Sequence, residues 1–449
     1  MTSKKLIVLS SVVVVLFAFI VLFERKMPST AERQKKGDVY WDLPQDRMDA
    51  LTLVRGNETV ELRKNGTSWR LVKPDSYPAD TFAVDGVVGD LADLKRAGPD
   101  AEDAKPADYG LSPPAAKATI GWTDADDPKE KKTRTVEFGR EVPGTDMSAA
   151  RLEGSQHVMF VPTSVVTGVK KPLDDFRSKD VLAGVSPDVT KIEILRGGRG
   201  RLALAKKDGV WWLTEPLADL ASPTETDRLV SRLTGVRAKE FVHGNEDLAS
   251  MGLNPPLYRV TIAAGKETPA SVDFGATRAD GNSMYARREG QIMTVDGEVA
   301  EELSKEAEAY RSTSVVAFNR GDVTAVEASF ADGTFALAQK DGGWTSQGHP
   351  VLAASADDLL SAILDLKGKS FLEEAEAKSL PPATATITIR LKAGAPWTIT
   401  LHPRTGALAA RASSRPGALV LDKDAATTLE TAFKKAVVVP TPAPTKKAK

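Results

Sequence analysis

Short stretches of alternating apolar and polar positions give way to helical spacing, and this succession occurs three times along the chain. Val60-Glu61-Leu62-Arg63, Leu202-Ala203-Leu204-Ala205 and Phe335-Ala336-Leu337-Ala338 each read as a strand, followed by the pairs Asn65-Gly66, Asp208-Gly209 and Asp341-Gly342. A second extended stretch then carries tryptophan, with Pro74, Pro216 or Pro350 a little further on. Asn-Gly and Asp-Gly tolerate the positive φ of a tight turn, so each set predicts a β-hairpin. Trp69, Trp212 and Trp344 form the repeat signature, each expected to cap the apolar face of its hairpin with about 150–250 Å² of burial. Alternation places Trp211 on the opposite face from Trp212, where Trp211 and Trp122 are the possible ligand-facing residues.

Helical spacing follows each hairpin. Ser222-Pro223 fits an N-cap with proline in the first turn, ahead of the stripe Leu229, Val230, Leu233 and Val236. Ser355 precedes Leu359, Leu360, Ile363, Leu364 and Leu366, and Asp80 precedes Phe82, Val84, Val87, Val88, Leu91 and Leu94. Next come Tyr109-Gly110-Leu111-Ser112-Pro113-Pro114, Met251-Gly252-Leu253-Asn254-Pro255-Pro256 and Ser379-Leu380-Pro381-Pro382, which end a helix or turn and launch extended segments. Those segments are Ala118–Trp122, Arg259–Ile262 and Thr386–Leu391. The first two copies share Val136-Glu137-Phe138-Gly139 and Val272-Asp273-Phe274-Gly275. Each copy closes on a short helix with an aromatic-basic pair at Phe176-Arg177, Tyr310-Arg311 or Phe433-Lys434.

One unit is therefore a hairpin, a helix, an antiparallel sheet and a terminal helix. The fold class is α+β, with three related units in series at residues 47–184, 188–317 and 320–437, the third divergent. Each is long enough to bury its own core.

Ahead of the units, Leu6 to Phe23 is an uncharged run interrupted only by Ser10 and Ser11 and flanked by Lys4-Lys5 and Arg25-Lys26. At about 1.5 Å per residue it spans roughly 27 Å, close to the ~30 Å hydrocarbon core, which predicts a membrane anchor over residues 1–23. A cleaved signal peptide is the alternative. Its apolar region usually runs about 7–15 residues to a small-residue site, whereas this run is longer and stops at Glu24-Arg25-Lys26. The short N-terminal flank favours N-in, C-out insertion. Residues 24–46 are expected to form a stalk, and 438–449 a disordered Pro/Ala/Lys tail.

Composition narrows the chemistry. Among 449 residues, 60 Lys+Arg face 61 Asp+Glu, leaving a net charge of −1, and there is no Cys. That balance gives no long-range attraction to nucleic acid. Missing Cys excludes thiolate metal sites, Fe–S clusters, a Cys nucleophile and a lipidated N-terminal Cys. No G-x-S-x-G, H-E-x-x-H or Walker A motif is present, and His157, His243, His349 and His402 never pair at metal-ligand spacing. Asp124, Asp126 and Asp127 lack the remainder of a calcium loop, and Gly197–Arg201 precedes a strand rather than the helix a phosphate cradle needs. The expected catalytic, cofactor and metal residues are none.

The order and spacing of Tyr109-Gly110-Leu111, Met251-Gly252-Leu253, Trp212 with Pro216, Phe274-Gly275 and Phe176-Arg177-Ser178-Lys179-Asp180-Val181-Leu182 resemble the domain-of-unknown-function family 4340. The resemblance covers most of residues 47–317 and carries no assigned chemistry. It implies a bacterial envelope protein, held at the inner membrane by one pass with its bulk in the periplasm, and partnered by an ABC-2-type permease or auxiliary subunit. The expected function is a non-enzymatic accessory or scaffold. A module binding envelope glycan through exposed tryptophans, among them Trp122, Trp211 and Trp397, is the alternative, and a hydrolase with dispersed carboxylates the third reading.

Overall fold

The computed structural model describes residues 39–101, 104–127, 129–244, 247–265 and 268–437. The apolar run Leu6–Phe23, the first part of the expected stalk and the tail 438–449 lie outside the described residues. Among the described residues no helix is long and apolar enough to cross a membrane.

Three antiparallel sheets and a few short helices make up an α+β fold, with eight strands in the first sheet and nine in each of the others. The hairpin and the later strands, expected as separate pieces, are one continuous sheet in every case. What joins them is a strand that the hydrophobic pattern did not single out: Met48–Arg55, Val189–Arg196 or Val323–Phe330. Leu51 stands between Leu62 and Ile120, Ile194 between Leu202 and Val260, and Val326 between Leu337 and Ile389. These strands are paired along both edges and bury one face beneath the helices.

The helices that follow the hairpins are Thr81–Ala92, Pro223–Thr234 and Ala353–Leu364. Asp80 and Ser222 cap the first two by accepting from the amides of Ala83 and Glu225, and Pro223 occupies the first turn. The third begins before Ser355 and has no side-chain cap, because Leu352 occupies that position. After its helix the chain reaches the far edge of the sheet, where Glu240–Val242 pairs with Gln291–Asp296 and Ser370–Leu372 with Ala418–Leu421. In the first sheet that edge is followed only loosely. Ala97 donates to Phe160 O at 2.9 Å and Ala101 to Val158 O at 3.2 Å, with Pro99 between them lacking an N–H to donate.

Residues 39–46, expected as stalk, are packed onto the first sheet and its helix. The Tyr40 amide donates to Leu94 O, the Leu43 amide to Ala92 O and the Trp41 indole N–H to Leu91 O. The Tyr40 hydroxyl donates to Asp100 at 2.5 Å and accepts from the Phe160 amide at 2.9 Å. Arg96 lies over the Tyr40 ring and Arg134 over that of Trp41. Burial, then the Asp100 bond, pushes the Tyr40 phenol well above its ordinary range.

The first two units share a close approach. A Cβ on Gly139 would lie 2.2 Å from Tyr109 O, and one on Gly275 2.1 Å from Met251 O. Only glycine lets the turns at Gly110 and Gly252, both at positive φ, seat Leu111 and Leu253 against the sheet. By register, His402 occupies the same place in the third sheet. It bonds Pro381 O at 2.7 Å instead, and Leu380 is not fully buried.

Phe176, Tyr310 and Phe433 are all fully buried. The first two sit at the ends of 3-10 turns rather than α-helices, whereas Phe433 lies within the helix Ala425–Ala436.

Candidate functional site

The described residues fall into two compact units, one ending at Lys179 and the other beginning at Asp180. The second unit holds the second and third sheets, and the chemistry concentrates at the seam between them.

The chain stitches the seam with the segment that leaves the second sheet. Ser222 N donates to Tyr310 O and Ser312 N to Leu220 O, each at 2.8 Å. A few residues on, Gly368 N donates to Thr313 O at 2.8 Å and Val315 N to Leu366 O at 2.9 Å. One extended stretch thus satisfies backbone groups at the edge strand and helix cap of the second sheet and in the connection that follows the third sheet's helix, as buried amides require.

Beneath the stitch lies Asp219, with no solvent exposure, on the edge strand Asp219–Leu220. Arg311 Nε donates to its Oδ2 at 2.7 Å, and Arg415 donates through Nε to Oδ1 at 2.7 Å and through Nη2 to Oδ2 at 3.2 Å. The Leu220 amide donates to Oδ1 at 2.7 Å. Arg311 also holds Glu308 at 2.7 Å and lies 3.9 Å from the Phe371 ring centroid. Arg415 further donates to the carbonyls of Ser312 and Ser314. Asp219 and the two guanidinium groups therefore close a buried, hydrogen-bonded cluster, and Glu308, with its side chain 63% exposed, balances Arg311 from the solvent side; pairing and hydrogen bonding are the condition under which buried charge is tolerated. Burial pulls the Arg311 guanidinium down, but the bonds from Asp219 and Glu308 outweigh it and hold it above its ordinary value.

Arg415 reaches Asp219 because the third sheet expands one hairpin turn. In the second sheet Arg288 pairs directly with Gln291 across Glu289-Gly290. The corresponding turn of the third sheet runs through Ser413–Gly417, pinned by the Gly417 amide donating to Glu374 at 2.6 Å.

Nearby, Trp212 stacks on Trp397 with ring centroids 5.8 Å apart and planes 12° apart. Register corrects the repeat signature here. Trp69 stands opposite Lys64, Trp211 opposite Lys206 and Trp344 opposite Gln339. Trp211 is the equivalent core residue, and it is 6% exposed, not ligand-facing by exposure. The two neighbours do alternate faces, but Trp212 is the partly exposed one and packs on the core of the third sheet. Trp122 and Trp397, at 9% and 5%, are also buried. The tight turn displaced the assignment by one position, because Asp208 takes positive φ as well as Gly209.

Two clefts flank the linker at Ala317–Asn319. One, of about 250 Å³, is lined by Trp212, Trp397, Phe318, Asp208 and Lys392; the other, of about 320 Å³, by Trp211, Asp227 and Leu364.

Away from the seam, a second kind of buried carboxylate sits within single sheets. Asp273 is held by Arg259 at 2.6 Å and Arg287 at 2.8 Å, and Glu137 by Lys117 and Arg151 at 2.6 Å each. Burial pushes both carboxyls up, but the bonds from their cationic partners prevail and hold them below their ordinary values. Thr400 takes this position in the third sheet. Of the histidines, His157 meets Asp100 at 2.9 Å and His402 meets Thr400. Among the described residues no group of three or more His, Asp or Glu is arranged to hold a metal ion.

Sequence reasoning placed Arg311 in a repeat motif but assigned it no partner, and it missed Asp219 and Arg415. The latter two lie 196 positions apart, and Ser413–Gly417 reads simply as a loop. Comparison with known proteins adds a family. The family model described as Domain of unknown function (DUF4340) matches residues 69–256 and, overlapping, 228–385, so each match runs from one sheet into the next. No curated protein matches the chain.

Proposed function

Because this chain belongs to the DUF4340 family, whose description assigns no function, we propose that it is a membrane-anchored, extracytoplasmic scaffold and, as the family resemblance implies, an accessory to an ABC-2-type transporter. In this reading Leu6–Phe23 forms the single transmembrane anchor and three related α+β units follow it on the outer side of the membrane.

The observation that carries the reading is the Asp219 cluster. A scaffold must hold binding surfaces at a fixed separation, and flexible joints between domains fail at that. Here the joint between two sheets is closed by a fully buried carboxylate, two arginines and a shared backbone stitch, so bending it exposes or unpairs charge. The uncharged run of the anchor supports the location.

The test is affinity purification of a C-terminally tagged chain from gently solubilised membranes, with alkaline extraction of the same membranes. Recovery of a permease or its auxiliary subunit, with the chain resistant to alkali, is the expected result. Repeated recovery of neither, or release of the chain at high pH, overturns the reading.

A further inference from the structure

We propose, independently of any membrane anchor or transporter partner, that the chain's own tail adds a last strand to the open edge of the third sheet at His349–Leu352. In the first two sheets the equivalent edge is covered by the segment that leaves the sheet. Asp80 N donates to Phe176 O and Ser178 N to Pro78 O, each at 2.9 Å, just as Ser222 N and Ser312 N bond Tyr310 O and Leu220 O. Pairing with the strand inside the edge makes Pro78, Leu220 and Pro350 equivalent, and Asp80, Ser222 and Leu352 are the three helix caps. The third edge has no such cover. Across the turn Gln347-Gly348, Ser346 pairs with His349, so Thr345 and Pro350 form the pair whose backbone groups turn outward. Among the described residues no backbone bond reaches Pro350 O from beyond the edge or leaves Leu352 N, and Leu352 is 57% exposed. Phe433, the counterpart of Phe176 and Tyr310, accepts from Val437 N instead, so a helix continues where the other two segments run extended.

An uncovered edge is a template for any passing strand, and the residues after Val437 are suited to close it. They read Val438-Val439-Pro440-Thr441-Pro442-Ala443-Pro444-Thr445, with proline at every second position. In an extended strand alternate residues turn their backbone groups to the same side. The missing N–H groups of Pro440, Pro442 and Pro444 therefore all fall on one side, while Val439, Thr441, Ala443 and Thr445 keep both groups on the other. Such a strand pairs along a single edge, and each proline holds the residue before it extended. The seat requires an N–H for Pro350 O and, two residues earlier, a C=O for Leu352 N, which is the spacing of Ser312 and Tyr310. Thr441 N with Val439 O, or Ala443 N with Thr441 O, supplies that pair. The proline side then faces solvent and ends the sheet. Reach is ample: Val438–Pro444 extends over roughly 23 Å, against about 10 Å for the edge strand His349–Val351. The final helix ends close by, since Lys435 meets Asp358 at 2.8 Å on the helix that Leu352 begins.

Hydrogen exchange of the full chain in detergent, resolved by pepsin cleavage and mass spectrometry, tests the docking. The amide of Leu352, and that of Thr441 or Ala443, should exchange about tenfold or more slowly than in an unstructured peptide. A chain ending at Val437 should release Leu352. So should the double variant Thr441→Pro with Ala443→Pro, which removes donors on the paired side alone. Pro442→Ala, which alters the side facing away, should leave Leu352 protected. Unchanged exchange in Val323–Phe330 reports in each variant that the sheet is intact. Leu352 exchanging freely in the full chain, or as freely with Pro442→Ala as with the double variant, overturns the proposal. Protection of Leu352 that survives removal of the tail overturns it too, since a second copy or another protein then holds the edge.

Discussion

Replacing Asp219 by Asn removes the one charge that both seam arginines share while barely changing volume. Asp219 accepts four hydrogen bonds, from Leu220 N, Arg311 Nε and two nitrogens of Arg415. An amide has one acceptor oxygen, and its NH2 must face a guanidinium N–H, donor against donor. Arg311 retains Glu308, but Arg415, with its side chain 1% exposed, keeps only the backbone carbonyls of Ser312 and Ser314. Leaving a buried charge without its partner costs about 3–5 kcal/mol. With a urea m-value of about 3 kcal/mol/M, the midpoint of the unit carrying the second and third sheets should fall by about 1 to 1.7 M. Arg415→Leu should cost less, about 1–3 kcal/mol, because Asp219 keeps Arg311 and the Leu220 amide. Urea titration followed by tryptophan fluorescence reads both variants. A midpoint shift below about 0.3 M for Asp219→Asn, or a larger loss for Arg415→Leu, would refute the account of the seam as a shared-charge lock.

Other expectations test separate parts of the molecule. Gly139→Ala and Gly275→Ala should each destabilise their own sheet by about 1–3 kcal/mol or more, since the added methyl meets a backbone carbonyl that cannot yield; thermal melts check this, and an unchanged melt would show the turn to be adaptable. Tyr40→Phe should cost about 1–3 kcal/mol, because Asp100 and the Phe160 amide both lose a partner; faster proteolysis near residue 40 is the readout. Asp273 is held below its ordinary pKa by Arg259 and Arg287, so its ionised form adds stability above its unfolded value of about 3.9 and loses it as pH falls through the lower folded value. Asp273→Asn should therefore be less stable than the parent at pH 7, with the difference shrinking below about pH 4. A difference that stays constant to pH 2 would show that the ion pairs contribute nothing.

Much of this protein was legible as local pattern. The three hairpins follow from alternation plus Asn-Gly or Asp-Gly, and the helix starts at Asp80 and Ser222 follow from capping chemistry, because turns and caps are decided by neighbours a few residues apart. Gly139 and Gly275 stood out in sequence for the same reason, as members of short motifs. The strands Met48–Arg55, Val189–Arg196 and Val323–Phe330 were harder to see, since a strand's place in a sheet depends on partners far along the chain. The face of Trp211 and Trp212 turned on one residue of turn geometry, and a single-position slip inverts a strand's two faces.

Residue order alone determined the α+β class, the threefold recurrence and the family. Tertiary structure alone decided that hairpin and later strands merge into one sheet, that Trp212 rather than Trp211 meets solvent, and that Asp219 is buried between two arginines at the seam of the second and third sheets. The reason is range. Hydrogen-bonded turns and amphipathic periods are written in contiguous residues, whereas the desolvation that makes a buried carboxylate need two cations exists only once distant segments have excluded water around it.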